Sequence, residues 1–137
     1  MTGLQKLEAV KMRLDRMAWA ERLLEEKSAR AESTTYRMNE VKVQSNTVTN
    51  WNEEAILQVI TARECYADAV NDYVEALSEA YNVLYSLPDP KWLEILSGRY
   101  IKDLSWQQIA DDTGQSSRNC MVLHKKALKW LEENAGN

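Results

Sequence analysis

Apolar residues recur at three- and four-residue steps along most of the chain, and the places where that rhythm stops divide it. Leu4, Leu7, Val10, Leu14, Met17 and Leu24 form the first run, with Glu21 interrupting one position. This is the spacing of a helix that buries a single seam. Charged residues fill its other faces, and Glu21, Arg22 and Glu25 are placed for helical pairing. The pattern predicts a helix from about Gly3 to about Ala31, its seam packed either inside the chain or between two copies.

From Ser33 to Asn50 the rhythm fails. The stretch STTYRMNEVKVQSNTVTN is polar, β-branched and poor in strong helix formers, which reads as a connector with Val41 and Val43 extended. Asn50 and Glu53 then make a cap signature, so a second helix is expected to begin at about Trp51. Ile56, Val59, Ile60, Tyr66, Val70, Tyr73, Val74, Leu77, Tyr81 and Leu84 keep a helical period with no breaker. A helix of ~30 to 35 residues, roughly 50 Å long, suggests a helical hairpin or bundle rather than an isolated element.

Glu64, Asp68, Asp72, Glu75 and Glu79 succeed one another along that second helix. They read as a solvated or partner-facing acidic stripe, against which Lys11, Arg13, Arg16 and Arg22 of the first helix could lie. A two-metal carboxylate site would need Glu-x-x-His pairs, and the single histidine, His124, is far away in the sequence.

Leu87-Pro88-Asp89-Pro90 is the sharpest boundary. Pro88 forbids continuation of the long helix, Asp89 is a good N-cap, and Pro90 suits the first helical position. A short helix from about Pro90 to about Tyr100 should bury Leu93, Leu96 and Tyr100. The chain therefore divides into a helical hairpin over 1–87, suited to oligomerisation, and a small module over 88–137. About fifty residues give a marginal core, so the module is expected to pack against the long helix or a second subunit.

Within the module, Ser105 with Gln108 three residues later is a capping box that opens a short helix, WQQIADD. Gly114 stops it, and Ser116 caps the next helix. Helix, Gly-bearing turn, helix is the layout of a helix-turn-helix. In the second helix Cys120, Leu123, Ala127, Leu128 and Leu131 share one face, to be packed on Leu96, Tyr100, Ile109 and Ala110. The opposite side shows Ser117, Arg118, Met121, Val122, Lys125, Lys126 and Lys129.

Charge sharpens this picture. The net charge is −4, but from Pro90 onward seven bases face six acids, and no acid lies between Gly114 and Leu131. A basic face on an acidic protein can bind phosphate while the remaining field opposes non-specific binding. Arg118 could grip a guanine edge in bidentate fashion. Lys125, Lys126 and Lys129 are placed for phosphates, which fix register without reading sequence. Asn119 is either an adenine reader or part of local capping. Ser105 and Ser116 join the candidate DNA contacts at the two helix starts. Three lysines on a terminal helix also complement its dipole, so charge alone does not decide.

Other chemistries find little support. Two cysteines, Cys65 and Cys120, make no disulfide framework and suit a reducing compartment. Lys6, Glu8, Lys11 and Arg13 break up any leader-like apolar run, and no stretch is long enough to span a bilayer. Cys120 and His124 sit one helical turn apart, a metal-binding spacing, but no second pair lies nearby, and both fall toward the packed side. No nucleophile–base pair, glycine-rich phosphate loop or catalytic acid pair is present. The expectation is a non-enzyme without cofactor or metal.

Arg99-Tyr100-Ile101, Leu104-Ser105-Trp106, Ile109-Ala110, Gly114, Ser116, His124 and Ala127-Leu128 resemble region four of bacterial sigma factors. More closely, they resemble the small phage regulators of the ArpU type, which join such a module to a helical N-terminal part. The resemblance covers about Pro88 to Glu133; upstream it extends only to general layout. It implies a regulator of phage genes in the cytoplasm of a bacterial host, acting on promoter DNA, with RNA polymerase as a candidate further contact. The helical pattern of the chain itself adds an all-α architecture whose hairpin would supply a homodimer. Asp103 stands where the family commonly has Gly, and Asp tolerates a left-handed turn better than most residues. Val122 stands where a basic side chain is frequent, which removes a DNA contact. Two rival functions remain: a DNA-packaging accessory like a terminase small subunit, and a polymerase-binding module without strong DNA binding.

Overall fold

The computed structural model describes residues 1–40 and 46–134, with side chains placed for 1–33 and 52–134. Every regular element among the described residues is helical: α1 Gly3–Glu40, α2 Asn46–Tyr85, α3 Pro90–Leu96, α4 Trp106–Thr113 and α5 Ser117–Glu133, with a π-helical turn Ser97–Ile101 between α3 and α4. The protein is all-α. Among the described residues no helix is long and apolar enough to cross a membrane.

The expected connector is much shorter than Ser33–Asn50. α1 continues to Glu40 and α2 already begins at Asn46, so Asn50 lies inside a helix instead of capping it. Val41 and Val43, expected to be extended, lie outside the described residues. The physical reason for the correction is that the stretch holds no Gly or Pro. β-branched and polar residues each cost only a few tenths of a kcal/mol in a helix, too little to stop one already propagating.

The chain forms two compact units, one of Met1–Leu14 with Tyr73–Asn137 and the other of Asp15–Asp72. In the first, Leu7 and Val10 of α1, Ala76, Ala80 and Leu84 of α2, and Ala127 and Leu131 of α5 share one buried cluster with Leu87 and Leu96. The C-terminal module of α3, α4 and α5 thus shares its core with one end of each long helix, in keeping with its small size. A second cluster, Ile95, Ile109, Ala110 and Cys120, with Leu104, Trp106 and Leu123 packed against it, holds α3, α4 and α5 together.

In the other unit the buried residues are small: Ala20 on α1, and Ala55 and Ala62 on α2. The helical period expected along α2 is present, but Ile56, Ile60, Val74 and Tyr81, which help define it, are exposed. Alanines one residue out of step carry the burial instead.

Candidate nucleic-acid interface

Local hydrogen bonds set every helix start in the module. The Asp89 carboxylate accepts from the Lys91 amide at 2.9 Å, with Pro90 at the first helical position. The Ser105 hydroxyl accepts from the Gln108 amide at 3.2 Å, while the Gln108 side chain accepts from the Ser105 amide at 2.9 Å. Gly114 closes α4 in the left-handed region with φ 71°, and the Ser116 hydroxyl accepts from the Asn119 amide at 3.1 Å. Each bond satisfies a backbone donor that a helix end would otherwise leave open.

The helix expected from Pro90 to Tyr100 changes character at Ser97. Its last turn is wider, with Lys102 N donating to Ser97 O at 3.1 Å, and Leu104 N then donates to Gly98 O at 2.9 Å. A π turn holds one residue more than an α turn and so rotates the downstream chain by about 100°. Gly98 lets this turn pack closely on α4: a Cβ there would stand 3.1 Å from Ile109 Cγ1. Asp103 completes the link to α4 with φ 54°, the left-handed position for which Asp is a tolerable substitute for Gly. Its carboxylate lies 3.5 Å from Lys11 Nζ, with both side chains mostly exposed.

The rotated turn delivers Arg99 and Tyr100 to a cluster of rings. The Tyr100 hydroxyl meets His124 Nε2 at 2.8 Å, and the two rings stack with centroids 5.7 Å apart. Trp106 approaches the same imidazole edge-on at 5.2 Å. Arg99 lies over the Trp106 ring at 4.9 Å and donates through Nη1 to Leu104 O at 3.3 Å. Burial holds His124 below its ordinary pKa of 6.5, and the positive charges of Arg99 and Lys125 push it further down. The neutral ring shares this hydrogen bond with the Tyr100 hydroxyl. Burial, with Glu8 assisting and Arg99 opposing, raises Tyr100 above 10.0, so its hydroxyl keeps its proton. The π turn, the start of α4 and the middle of α5 are therefore pinned to one another.

This clamp fixes which side of α5 faces outward. Cys120 and Ala127 are fully buried and Leu131 nearly so. At about 100° per residue, Arg118, Val122, Lys125 and Lys129 fall within roughly 60° of one another on the opposite side. All four are exposed, as are Met121 beside them and Lys126 and Asn119 on one flank. Ser117, on the other flank, is half-buried. The apolar interruption is real surface, with Val122 43% and Met121 40% exposed.

The serines divide from this face by their bonding. Ser105 and Ser116 are exposed, but each hydroxyl is engaged in capping. The Asn119 side-chain amide donates to Gln115, a local use that competes with base reading. Cys120 Sγ has Thr113 Oγ1 at 3.6 Å, while His124 Nε2 is committed to Tyr100, so the pair is occupied separately rather than jointly. The structure adds two residues that spacing did not suggest. Gly98 packs the π turn closely on Ile109, signalled only by a glycine inside a helical pattern, and Thr113 lines Cys120 while its hydroxyl donates to Ile109 O at 2.8 Å. Comparison with family models, curated proteins and solved structures finds no match to this chain.

Proposed function

We propose that the chain is a phage-type transcription regulator that binds double-stranded promoter DNA, with α5 as the recognition helix in the major groove. The observation that carries this reading is the outward face of α5. Arg118, Lys125 and Lys129 stand in line on the side opposite Cys120 and Ala127, and no acid interrupts them. The preceding Gly turn and serine cap match the geometry by which such motifs present the start of their second helix to base edges. Arg118, nearest that start, is the candidate for guanine. Lys125, Lys126 and Lys129 engage phosphates. Met121 and Val122 offer apolar contact of the kind that suits a thymine methyl. The sigma region four-like residues around them act one layer below, through the Arg99–Trp106–His124–Tyr100 clamp.

Titration of labelled random and selected duplexes at several salt concentrations tests the proposal. Lys125→Ala should weaken binding to all sequences alike and reduce the logarithmic salt slope by about one. Arg118→Ala should relax sequence preference at one position, at about 1–3 kcal/mol of discrimination. Val122→Arg should raise affinity. Duplex binding unchanged by all three substitutions overturns the assignment of the face.

One observation favours a second reading. Met121 and Val122 are exposed apolar neighbours at the centre of the face, where a protein partner such as RNA polymerase would also find purchase. Retained polymerase binding with no duplex binding at low salt would select that reading.

A further inference from the structure

Between Ala55 and Asp72, α2 carries three distinct faces. Ala55 and Ala62 are buried, with Val59, Tyr66 and Ala69 half-buried beside them. Asp68 and Asp72 lie on a second, exposed side. A third stripe, about a third of a turn from the alanines, holds Ile56, Ile60, Arg63, Ala67 and Val70 at the alternating four- and three-residue steps of a coiled-coil seam. Ile56 is 47% exposed, Ile60 44% and the bordering Leu57 62%. Arg63 is the one charge within the stripe and Glu64 borders it. Among the described residues neither makes an ion pair or a side-chain hydrogen bond.

We infer that this stripe is the contact between two copies of the chain, with their α2 helices antiparallel about a twofold axis beside Cys65. That placement sets Ile60 opposite the partner's Val70 and Arg63 opposite the partner's Ala67, whose small side chain leaves room for the guanidinium stem. It also brings each Arg63 within one helical turn of Glu64 of the partner subunit, so the lone base meets the bordering acid twice. A parallel pair would set Arg63 against Arg63 and forfeit that complementarity. The face is isologous, apolar in its centre and charge-paired across the axis. Asp68 and Asp72 point away from it. Dimerisation through α2 does not depend on DNA binding by α5, so failure of one leaves the other standing.

Sedimentation equilibrium of the full chain without DNA, at tens of micromolar, is the test. The expected mass is twice the 15.8 kDa of one chain. Ile60→Glu should give the single-chain mass with the helical circular dichroism retained. Arg63→Glu and Glu64→Arg should each raise the dimer dissociation constant severalfold, and the double variant R63E/E64R should return it to within about twofold of the parent, because the swapped charges pair again. A monomeric parent chain overturns the inference, as does a dimer that survives Ile60→Glu. A double variant no tighter than the weaker single one overturns the antiparallel pairing, and that outcome stays readable if Ile60→Glu fails to fold.

Discussion

α2 and α5 are both amphipathic, yet they leave opposite kinds of residue in water. α5 buries Cys120, Ala127 and Leu131 and presents Arg118, Lys125 and Lys129. α2 buries Ala55, Ala62, Ala76, Ala80 and Leu84 and presents Ile56, Ile60 and Val74. In α5 the apolar side chains are consumed by the fold, and what remains outside is charge. From Ala55 to Ala80 of α2 the buried positions are alanines, which lose no side-chain entropy on burial and let a neighbour approach closely. The exposed Ile56, Ile60 and Val74 are surplus to the core of one chain. Charge left outside invites phosphate, whereas aliphatic surface left outside invites another apolar surface.

The sharpest way to break this comparison is to truncate one side chain on each side of α2. Leu84 is fully buried in the cluster with Leu7, Val10 and Ala127, so Leu84→Ala should cost about 2–5 kcal/mol of unfolding free energy. Val74 is 57% exposed, and Val74→Ala should stay within about 0.5 kcal/mol. Urea unfolding of the two variants at a concentration where both are monomeric checks the contrast. Equal losses would mean that the exposed stripe is packed after all.

A second test concerns what holds α5 in place. His124 is the only histidine, so a proton NMR titration reads it without ambiguity, and its midpoint should fall below 6.5. The unfolded chain takes up this proton near 6.5, the native chain only at lower pH. The contribution of His124 to stability is therefore complete above pH 6.5 and lost as pH falls through the native value. His124→Gln keeps a hydrogen-bonding partner for the Tyr100 hydroxyl and carries no titrating proton. Unfolding midpoints at pH about 7.5 and about 5.5 should show a smaller acid loss in that variant than in the parent. Identical losses would remove His124 from the clamp's energetics.

How much the residues disclose in advance depends on range. Asp89–Pro90, Ser105–Gln108, Gly114 and Ser116 act on backbone groups within four residues of themselves, so the helix starts and stops of the module are visible in the chain. The buried face of α2 is not, because Ile56 and Ile60 outweigh Ala55 and Ala62 in any apolar pattern, while burial is chosen by the neighbour. The π turn is equally hidden, since the spacing of Leu93, Leu96 and Tyr100 reads as one continuous helix and the close approach of Gly98 to Ile109 appears only in the fold. Of the candidate interface, the basic row on α5 comes directly from helical spacing. The commitments of Ser105, Ser116 and Asn119 to capping and to Gln115 require the folded geometry. So does the clamp through Arg99, Tyr100, Trp106 and His124, whose members come from three elements.

The smallest effect separates charge from backbone at Asp103. Its carboxylate sits 3.5 Å from Lys11 Nζ, but the two side chains are 62% and 61% exposed, and a pair so open to solvent contributes little. Its φ of 54° is the costlier feature, since the left-handed region suits Gly, Asn and Asp and penalises other side chains. Asp103→Asn removes the charge and keeps the backbone tolerance, so its stability should lie within about 0.5 kcal/mol of the parent. Asp103→Ala removes both and should lose about 1 kcal/mol. Thermal unfolding of the two variants side by side distinguishes the contributions. If Asn loses as much as Ala, the ion pair to α1 rather than the turn sets how the π turn hands the chain to α4.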